Sequence, residues 1–481
     1  MSLTARGALL WSFAERYASL IVSLASTMIL ARLLTPAQIG VFSLCAAAVT
    51  IAGILRDFGV SEYLIQEKEL DHEKLRNAFG VALVIGWSVG ALIFLVRDPL
   101  AAYYREPVVR EVLGVLTLNF LLLPFASPAF AVLSREMHFR TIFYIQTVCN
   151  ASQAVVAVSL AYQGFGTMAL AWAPVASIGL QIVITTCLRP QQVLIWPSLS
   201  QARRIFKYGG TFALTRVIET LSRNVHEFLI ARYQGFAAVG LFSRSLGLLD
   251  LFYNNFTAAI LRVSTPLMSE DRREGRSIPK RYAETTVLIS SLAWPMLSFL
   301  ALFASDIIAA LFGPQWLAAA TVASVLACGS MLGYFTTLGP STLVAIGQIQ
   351  VRLRLTLIVA VWHVCAVVLA APHGLMAVAM AFASGSLLGP TLYARTLPKL
   401  LGCTRAELFR GMSRSVWLGL GCAAFFVLLG LLLHRVEMLP LLRLAIAVPV
   451  GAAIWLLLAR ALRHPVLGYL PLPAPLKRLL S

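Results

Sequence analysis

This sequence predicts an all-α integral membrane protein of about fourteen transmembrane helices, and three observations point to it. Of its 481 residues, 59% are hydrophobic and only 12% charged, with a mean hydropathy of +0.81. The apolar residues fall in runs of about 17 to 25, the length a helix needs to cross roughly 30 Å of hydrocarbon. No connection between runs is long enough to fold as a soluble domain. The longest are Arg262 to Arg281, Arg189 to Gln201 and Thr396 to Arg414.

The first run, 8–31, follows Arg6 and has no small-residue cleavage site after it, so it is expected to be kept as a helix. One face is polar: Glu15, Arg16, Ser19, Ser23 and Ser26. The second run, 39–56, ends on Arg56 and Asp57, with Glu62 beyond. Those charges fit either a helix end among the headgroups or the wall of a polar passage. Runs 77–96, 113–133, 141–162 and 167–188 follow.

The seventh run, 206–232, is the least usual. Its flanks are apolar, but Arg216, Glu219, Arg223 and Glu227 recur at steps of three and four and so share one helix face, with Thr220 and His226 beside them. Each charge at the bilayer centre costs about 2.5 to 3.5 kcal/mol on insertion scales. Four of them should therefore face water or one another. Either they are ion pairs pinning this helix to a neighbour, or they wall a polar pathway. The eighth run, 237–261, carries Arg244, Asp250, Asn254 and Asn255; Arg244 fits both snorkelling to an interface and lining a cavity. Runs 283–304, 317–338, 351–371, 374–396, 414–433 and 440–460 complete the chain. His363 and His373 stand alone and read as structural. The seven cysteines show no ligand spacing and read as small core residues, with neither disulfide nor metal expected.

The net charge of +18 does not imply nucleic acid, because Lys and Arg sit in short loops between apolar runs. With the N-terminus cytoplasmic, only Arg32, Arg97, Arg105, Arg110, Arg232, Arg435 and Arg443 of the 39 basic residues fall in the opposite loops. That bias predicts an even number of spans and both termini inside.

The chain also repeats. ILARLLTPAQIGVFS from Ile29 returns as LIARYQGFAAVGLFS from Leu229, pairing Arg32 with Arg232, Gly40 with Gly240 and Phe42 with Phe242. Arg16 pairs with Arg216 at the same offset. Asp98 pairs with Asp306 in DPLAA and DIIAA, and Pro128 and Arg140 pair with Pro340 and Arg352. Two copies of a six-helix unit running in the same direction follow, residues 1–200 and 201–400, with 401–481 as an appended helix pair and tail. Two such bundles facing one another would enclose a cavity, lined by the first span of each. No Gly-Lys dipeptide occurs, so a P-loop is excluded, and no HExxH or GxSxG is present.

ARLLTPAQIGVFSLCAA, then ILRDFGVSEYLIQE, then LFGPQW at 311–316 resemble the polysaccharide transporter family of bacterial oligosaccharide flippases (Wzx-like), within the multidrug/oligosaccharidyl-lipid/polysaccharide (MOP) exporter superfamily. The likeness implies two MATE-like six-helix lobes that alternate between inward- and outward-open states around a basic cavity. It implies a multi-pass protein of the bacterial inner membrane that needs no cofactor and catalyses no reaction. The cargo it implies is an oligosaccharide repeat unit joined through pyrophosphate to undecaprenol. Membrane lipids and a polymerase and export complex would be its partners. Guanidinium groups bind phosphate bidentately and offset its desolvation. The expected contacts are Arg16, Arg216 and Arg223, then Arg56 and Arg244. Glu15, Asp57, Glu219, Glu227 and Asp250 would balance charge or carry a coupling proton. The last two spans would form a groove for the lipid tail.

Four other readings compete. A cation-coupled multidrug exporter of the same superfamily would have twelve spans and acidic binding residues. A major-facilitator transporter would carry a GxxxDRxGRR-like loop where this chain has KELDHEKLRN. A glycan polymerase or ligase would need a larger outer loop than Arg97 to Val112. A lipid II-type flippase fits span number and cavity equally well, and only the ARLLTPAQIG segment tilts away from it.

Overall fold

The computed structural model describes residues 3–56, 71–193, 195–200 and 202–469, with backbone only at 3–10, 12, 13, 55, 72 and 202–216. Among the described residues all regular structure is helical, and one helix falls on each predicted run. They are α1 (Leu3–Leu33), α2 (Pro36–Arg56), α3 (His72–Tyr104), α4 (Pro107–Arg135), α5 (Phe139–Tyr162), α6 (Thr167–Leu188) and α7 (Ala202–Gln234). Then come α8 (Phe236–Arg273), α9 (Ile278–Leu302), α10 (Ala318–Gly333), α11 (Ile349–Ala370), α12 (Leu375–Leu401), α13 (Met412–His434) and α14 (Pro440–Ala461). Twelve are long and apolar enough to cross a membrane. The other two are α7, whose charges lower its mean hydropathy, and α10, which is apolar but only 16 residues long.

Helix ends follow local chemistry. Thr35 and Gln38 form a capping box at the start of α2: Gln38 N–H donates to Thr35 Oγ1 at 3.3 Å, and Thr35 N–H to Gln38 Oε1 at 2.9 Å. Pro36 between them takes the first helical position, where no N–H is needed. In the second copy the position of Thr35 is Gly235, at φ +84°, a turn made by backbone freedom instead of a side-chain cap. Asp71 caps α3 by accepting from Lys74 N–H at 2.7 Å, and Ser277 caps α9.

Several helices outrun their apolar runs, which corrects the loops expected from sequence. The connection drawn from Arg97 to Val112 shrinks to Arg105 and Glu106, and α8 continues to Arg273, well past Arg262. Hydropathy marks where the hydrocarbon stops, whereas a helix runs on until capped. The core assignment of the cysteines holds for Cys45, Cys149 and Cys422, but Cys187, Cys328 and Cys365 are exposed on the protein surface.

The chain divides into two compact units, Met1–Gly240 and Leu241–Ser481. In the first, α3 packs on α4, α4 on α6, α6 on α5 and α5 on α1, while α2 lies against α3, α4 and α7. In the second, α9 packs on α10, α10 on α12 and α12 on α11. Adding six to each helix number in the series α3–α4–α6–α5 reproduces the second series, so the sequence repeat is also a repeat of packing. The appended α13 rests on α9, and α14 on α13, around Phe303, Leu418, Phe426 and Ala447. Polar ties fasten the pair along its length: Arg443 Nη1 to Asp306 Oδ1 at 2.8 Å, Trp455 Nε1–H to the Ser291 carbonyl at 2.9 Å, and His464 Nε2 to Ser415 Oγ at 3.0 Å.

Candidate functional site

The first unit holds most of the residues singled out by their charge. α7 carries the stripe through its middle, and its exposure changes along the stripe. Glu219 is half-buried, Arg223 is exposed, and Glu227 is buried. Their shared face is therefore open at its centre and covered toward its C-terminal end, where α7 packs on α2 and α3. His226 is also buried, with Nε2 3.6 Å from Glu227 Oε1, while Glu227 Oε2 has no hydrogen-bond partner among the described residues. At the next residue, Tyr104 of α3 donates its hydroxyl hydrogen to the Phe228 carbonyl at 3.1 Å. A buried carboxylate oxygen left without a hydrogen bond is costly in such packing. The structure places Arg216 within α7, but its side chain lies outside the described residues.

On α1, Glu15 and Arg16 are half-buried. Their neighbour Ser19 accepts from Asn150 Nδ2 of α5 at 2.8 Å, so this part of the polar face of α1 is turned to α5. Arg56 is half-buried, with its guanidinium carbon 5.6 Å from the ring centre of buried Phe120. It thus points into its own unit across α4 instead of ending the helix in open solvent. Asp57 and Glu62 lie outside the described residues.

In the second unit, Arg244 has its guanidinium 5.6 Å from each of the Phe312 and Trp316 rings, both from LFGPQW. Its Nε is shielded and has no hydrogen-bond partner among the described residues. Trp316 is fully buried, so the motif is a packing centre with a cation laid on it. Asp250 is exposed and leads directly into a π-helical turn, Tyr253–Thr257, that interrupts α8. Asn254 is exposed there, and Asn255 donates Nδ2–H to the Leu251 carbonyl at 2.6 Å. Such turns free backbone carbonyls from the helical ladder and recur at functional positions.

The sequence carried no sign of this π-turn. Nor did it show the cluster around buried Asp306, which joins Arg443 and the exposed His434, both remote from it in the chain, with His434 Nε2 3.4 Å from Asp306 Oδ2. Among the described residues no group of three His, Cys, Asp or Glu side chains could hold a metal ion.

Comparison with known proteins adds three findings. Residues 29–321 match the family described as "Polysaccharide biosynthesis protein". Among curated relatives, the teichuronic acid biosynthesis protein TuaB of Bacillus subtilis (strain 168) is 21% identical over 70% of each chain. The succinoglycan biosynthesis transport protein ExoT of Rhizobium meliloti (strain 1021) is 25% identical over 68% of each. The lipopolysaccharide biosynthesis protein WzxC of Escherichia coli (strain K12) is 20% identical over 64% of this chain and 63% of its own. Among solved structures, the lipid II flippase MurJ in an inward closed conformation superposes with a TM-score of 0.74, at 11% identity, over 94% of this chain and 98% of that one. An outward-facing MATE multidrug resistance transporter of the MOP superfamily gives a TM-score of 0.53 at 15% identity, over 82% and 95%.

Proposed function

Since this chain belongs to the polysaccharide biosynthesis protein family, we propose that it is a flippase for a lipid-linked oligosaccharide. The cargo is a repeat unit joined through pyrophosphate to undecaprenol, moved by alternating access from the inner to the outer leaflet of the bacterial inner membrane. Both termini are cytoplasmic, and the protein works by transport, not catalysis, beside a polymerase and export complex. Residues 1–200 and 201–400 act as the two lobes, with 401–481 as the appended pair.

The observation that carries this reading is α7. It is a 33-residue helix, long enough to cross a bilayer, yet its middle presents Glu219, Arg223 and Glu227 on one face. A pyrophosphate crossing the membrane must be matched by charge at that depth. Guanidinium forks supply it with two parallel hydrogen bonds each, and adjacent carboxylates keep an empty site from repelling itself. Arg16, Arg216 and Arg223 are the first candidates for phosphate contact, with Arg56 and Arg244 after them. Glu15, Asp57, Glu219, Glu227 and Asp250 balance charge or accept a coupling proton; Glu227, buried and with one oxygen unpartnered among the described residues, is the first candidate of these. The π-turn in α8 adds exposed Asp250 and Asn254, groups suited to sugar hydroxyls.

A second reading is favoured by the likeness to a lipid II flippase across nearly the whole chain. There the cargo is a cell-wall precursor, and the same charged face serves it.

The deciding experiment places the chain in a bacterium that builds a defined lipid-linked repeat unit but lacks its own flippase. The expected result is that labelled repeat units become accessible to a probe confined outside the inner membrane. Full membrane insertion with all units still inside would overturn the reading. Rescue of a strain depleted of its lipid II flippase, without repeat-unit transfer, would establish the second reading instead.

A further inference from the structure

Within the second unit, a cavity of about 690 Å³ opens where helix ends gather: the starts of α9 and α13, the end of α12 and the segment after α14. That volume is in the range of about 300 to 1,000 Å³ that small ligands occupy. The lining is charged and unevenly so. Lys280, Arg410 and Arg414 face it, against Glu284 and Glu407.

The two carboxylates are not equivalent. Glu407 is engaged in a capping box, accepting from the Thr404 N–H at 2.9 Å. Glu284 is left to oppose the cations. Arg414 donates one Nη1–H to the Arg463 carbonyl at 3.2 Å and keeps the rest of its five donors. Lys280 and Arg410 are exposed, and no side-chain hydrogen bond or ion pair holds them among the described residues. The helix ends add to this field. α13 is 23 residues long and starts from Gly411, at φ +83°, with no side-chain cap; Met412 N–H donates to the Phe409 carbonyl and Arg414 N–H to the Gly411 carbonyl, each at 3.2 Å, so the helix start adds mainly its dipole. α9, 25 residues long, also begins at this cavity; its Lys280 N–H is taken by the Ser277 cap, so it adds only its dipole. Positive helix ends and guanidinium groups converging on one space select an anion, above all a phosphate.

We propose that this cavity binds a phosphate ester anion, held by Lys280, Arg410 and Arg414 over the start of α13. The chemistry is common to the headgroup of an anionic phospholipid and to a soluble phosphate ester. The site joins α9 and α12 of the repeated bundle to the appended helix pair, so its occupant tightens that attachment. It is independent of the cargo, since none of the residues assigned to transport lines it.

The test uses the full chain purified in detergent and follows thermal unfolding against added phosphatidylglycerol, phosphatidylcholine as a zwitterionic control, and glycerol 3-phosphate. A ligand that binds only the folded state raises the unfolding midpoint with concentration. A rise with phosphatidylglycerol alone identifies a lipid headgroup; a rise with glycerol 3-phosphate identifies a soluble phosphate; either supports the site. Lys280→Ala with Arg410→Ala should weaken the apparent affinity about tenfold or more, since charge-assisted hydrogen bonds are lost. Lys280→Arg with Arg410→Lys should retain binding. Glu284→Gln should strengthen binding by removing a like charge, an effect opposite in sign to any loss of folding. No rise with either phosphate compound, an unchanged response in the double alanine variant, or weaker binding in Glu284→Gln would overturn the proposal.

Discussion

Gly40 and Gly240 hold the same position in the two copies of the repeat, and each abuts the first residue of the helix that carries the other. A Cβ on Gly40 would overlap the Phe236 carbonyl and lie 3.0 Å from Gly240 N; a Cβ on Gly240 would overlap the Pro36 carbonyl and lie 3.2 Å from Gly40 N. The obstructing atoms are backbone, which cannot swing aside as a side chain would. Gly40→Ala and Gly240→Ala should each lose about 1 to 3 kcal/mol or more by overpacking. Gly53→Ala, in the same α2 with nothing within 4 Å of its Cβ, should be neutral or slightly stabilising. Thermal unfolding of the three variants in detergent separates the cases: equal midpoints for Gly40→Ala and Gly53→Ala would refute the close contact.

The repeated aspartates Asp98 and Asp306 have taken different partners. Asp98 pairs with Arg110 at 2.6 Å on the surface, the two side chains 54% and 60% exposed. Asp306 pairs with Arg443 of α14, 4% and 14% exposed. Exposed pairs contribute about 0 to 1 kcal/mol, whereas removing one partner of a buried pair costs about 3 to 5 kcal/mol. Arg443→Ala should therefore free the start of α14 and expose it to protease, while Arg110→Ala leaves the digestion pattern unchanged. Asp306→Leu with Arg443→Met should recover most of the loss, because no orphaned charge remains.

These two cases show what sequence makes legible. Helix number and order follow from hydropathy, and the copies from an offset of 200 that stays constant through Ala31, Arg32, Gly40 and Phe42. Helix ends are another matter. Arg97, Asp98 and Arg105 read as a loop because they are charged, yet Arg97 and Asp98 extend α3 beyond its apolar run and only Arg105, at φ 54°, ends it. The Asp306–Arg443 bond joins residues 137 apart, and nothing local to either marks the other. The spacing of Arg216, Glu219, Arg223 and Glu227 announced a shared face. It did not reveal that Glu227 is covered and Arg223 open, because that depends on where α2 and α3 cross α7.

His464, which follows the end of α14, gives the fold an acid-sensitive point. Val466 N–H donates to Nδ1 at 3.2 Å, which leaves Nε2–H to meet Ser415 Oγ at 3.0 Å; Ser415 Oγ–H then donates to the Val287 carbonyl at 3.2 Å. Burial, and then the nearby Arg414, pull the imidazole pKa down from 6.5 to about 4. The unfolded chain therefore binds a proton more readily than the folded one. The contribution of the neutral ring is complete above about pH 6.5 and is lost as pH falls toward 4. Unfolding midpoints measured from pH 7 to 4.5 should decline more steeply for the native protein than for His464→Gln; parallel curves would count against this residue.

The sharpest prediction concerns Arg223, the exposed centre of the charged face of α7. If it grips phosphate, Arg223→Ala should abolish export and leave lipid-linked repeat units on the cytoplasmic side, with membrane levels of the protein unchanged. Arg223→Lys should restore transport only in part, because an ammonium keeps the charge but not the planar fork. A purely structural ion pair predicts otherwise: lysine would suffice, and the loss in alanine would appear as lower protein yield. Glu227→Gln separates the remaining roles. One oxygen of the buried carboxylate has no hydrogen-bond partner among the described residues, and the neutral amide matches its size, so the fold should stay intact. Transport should then lose its dependence on external pH if Glu227 carries the coupling proton, and keep it if the group only balances Arg223.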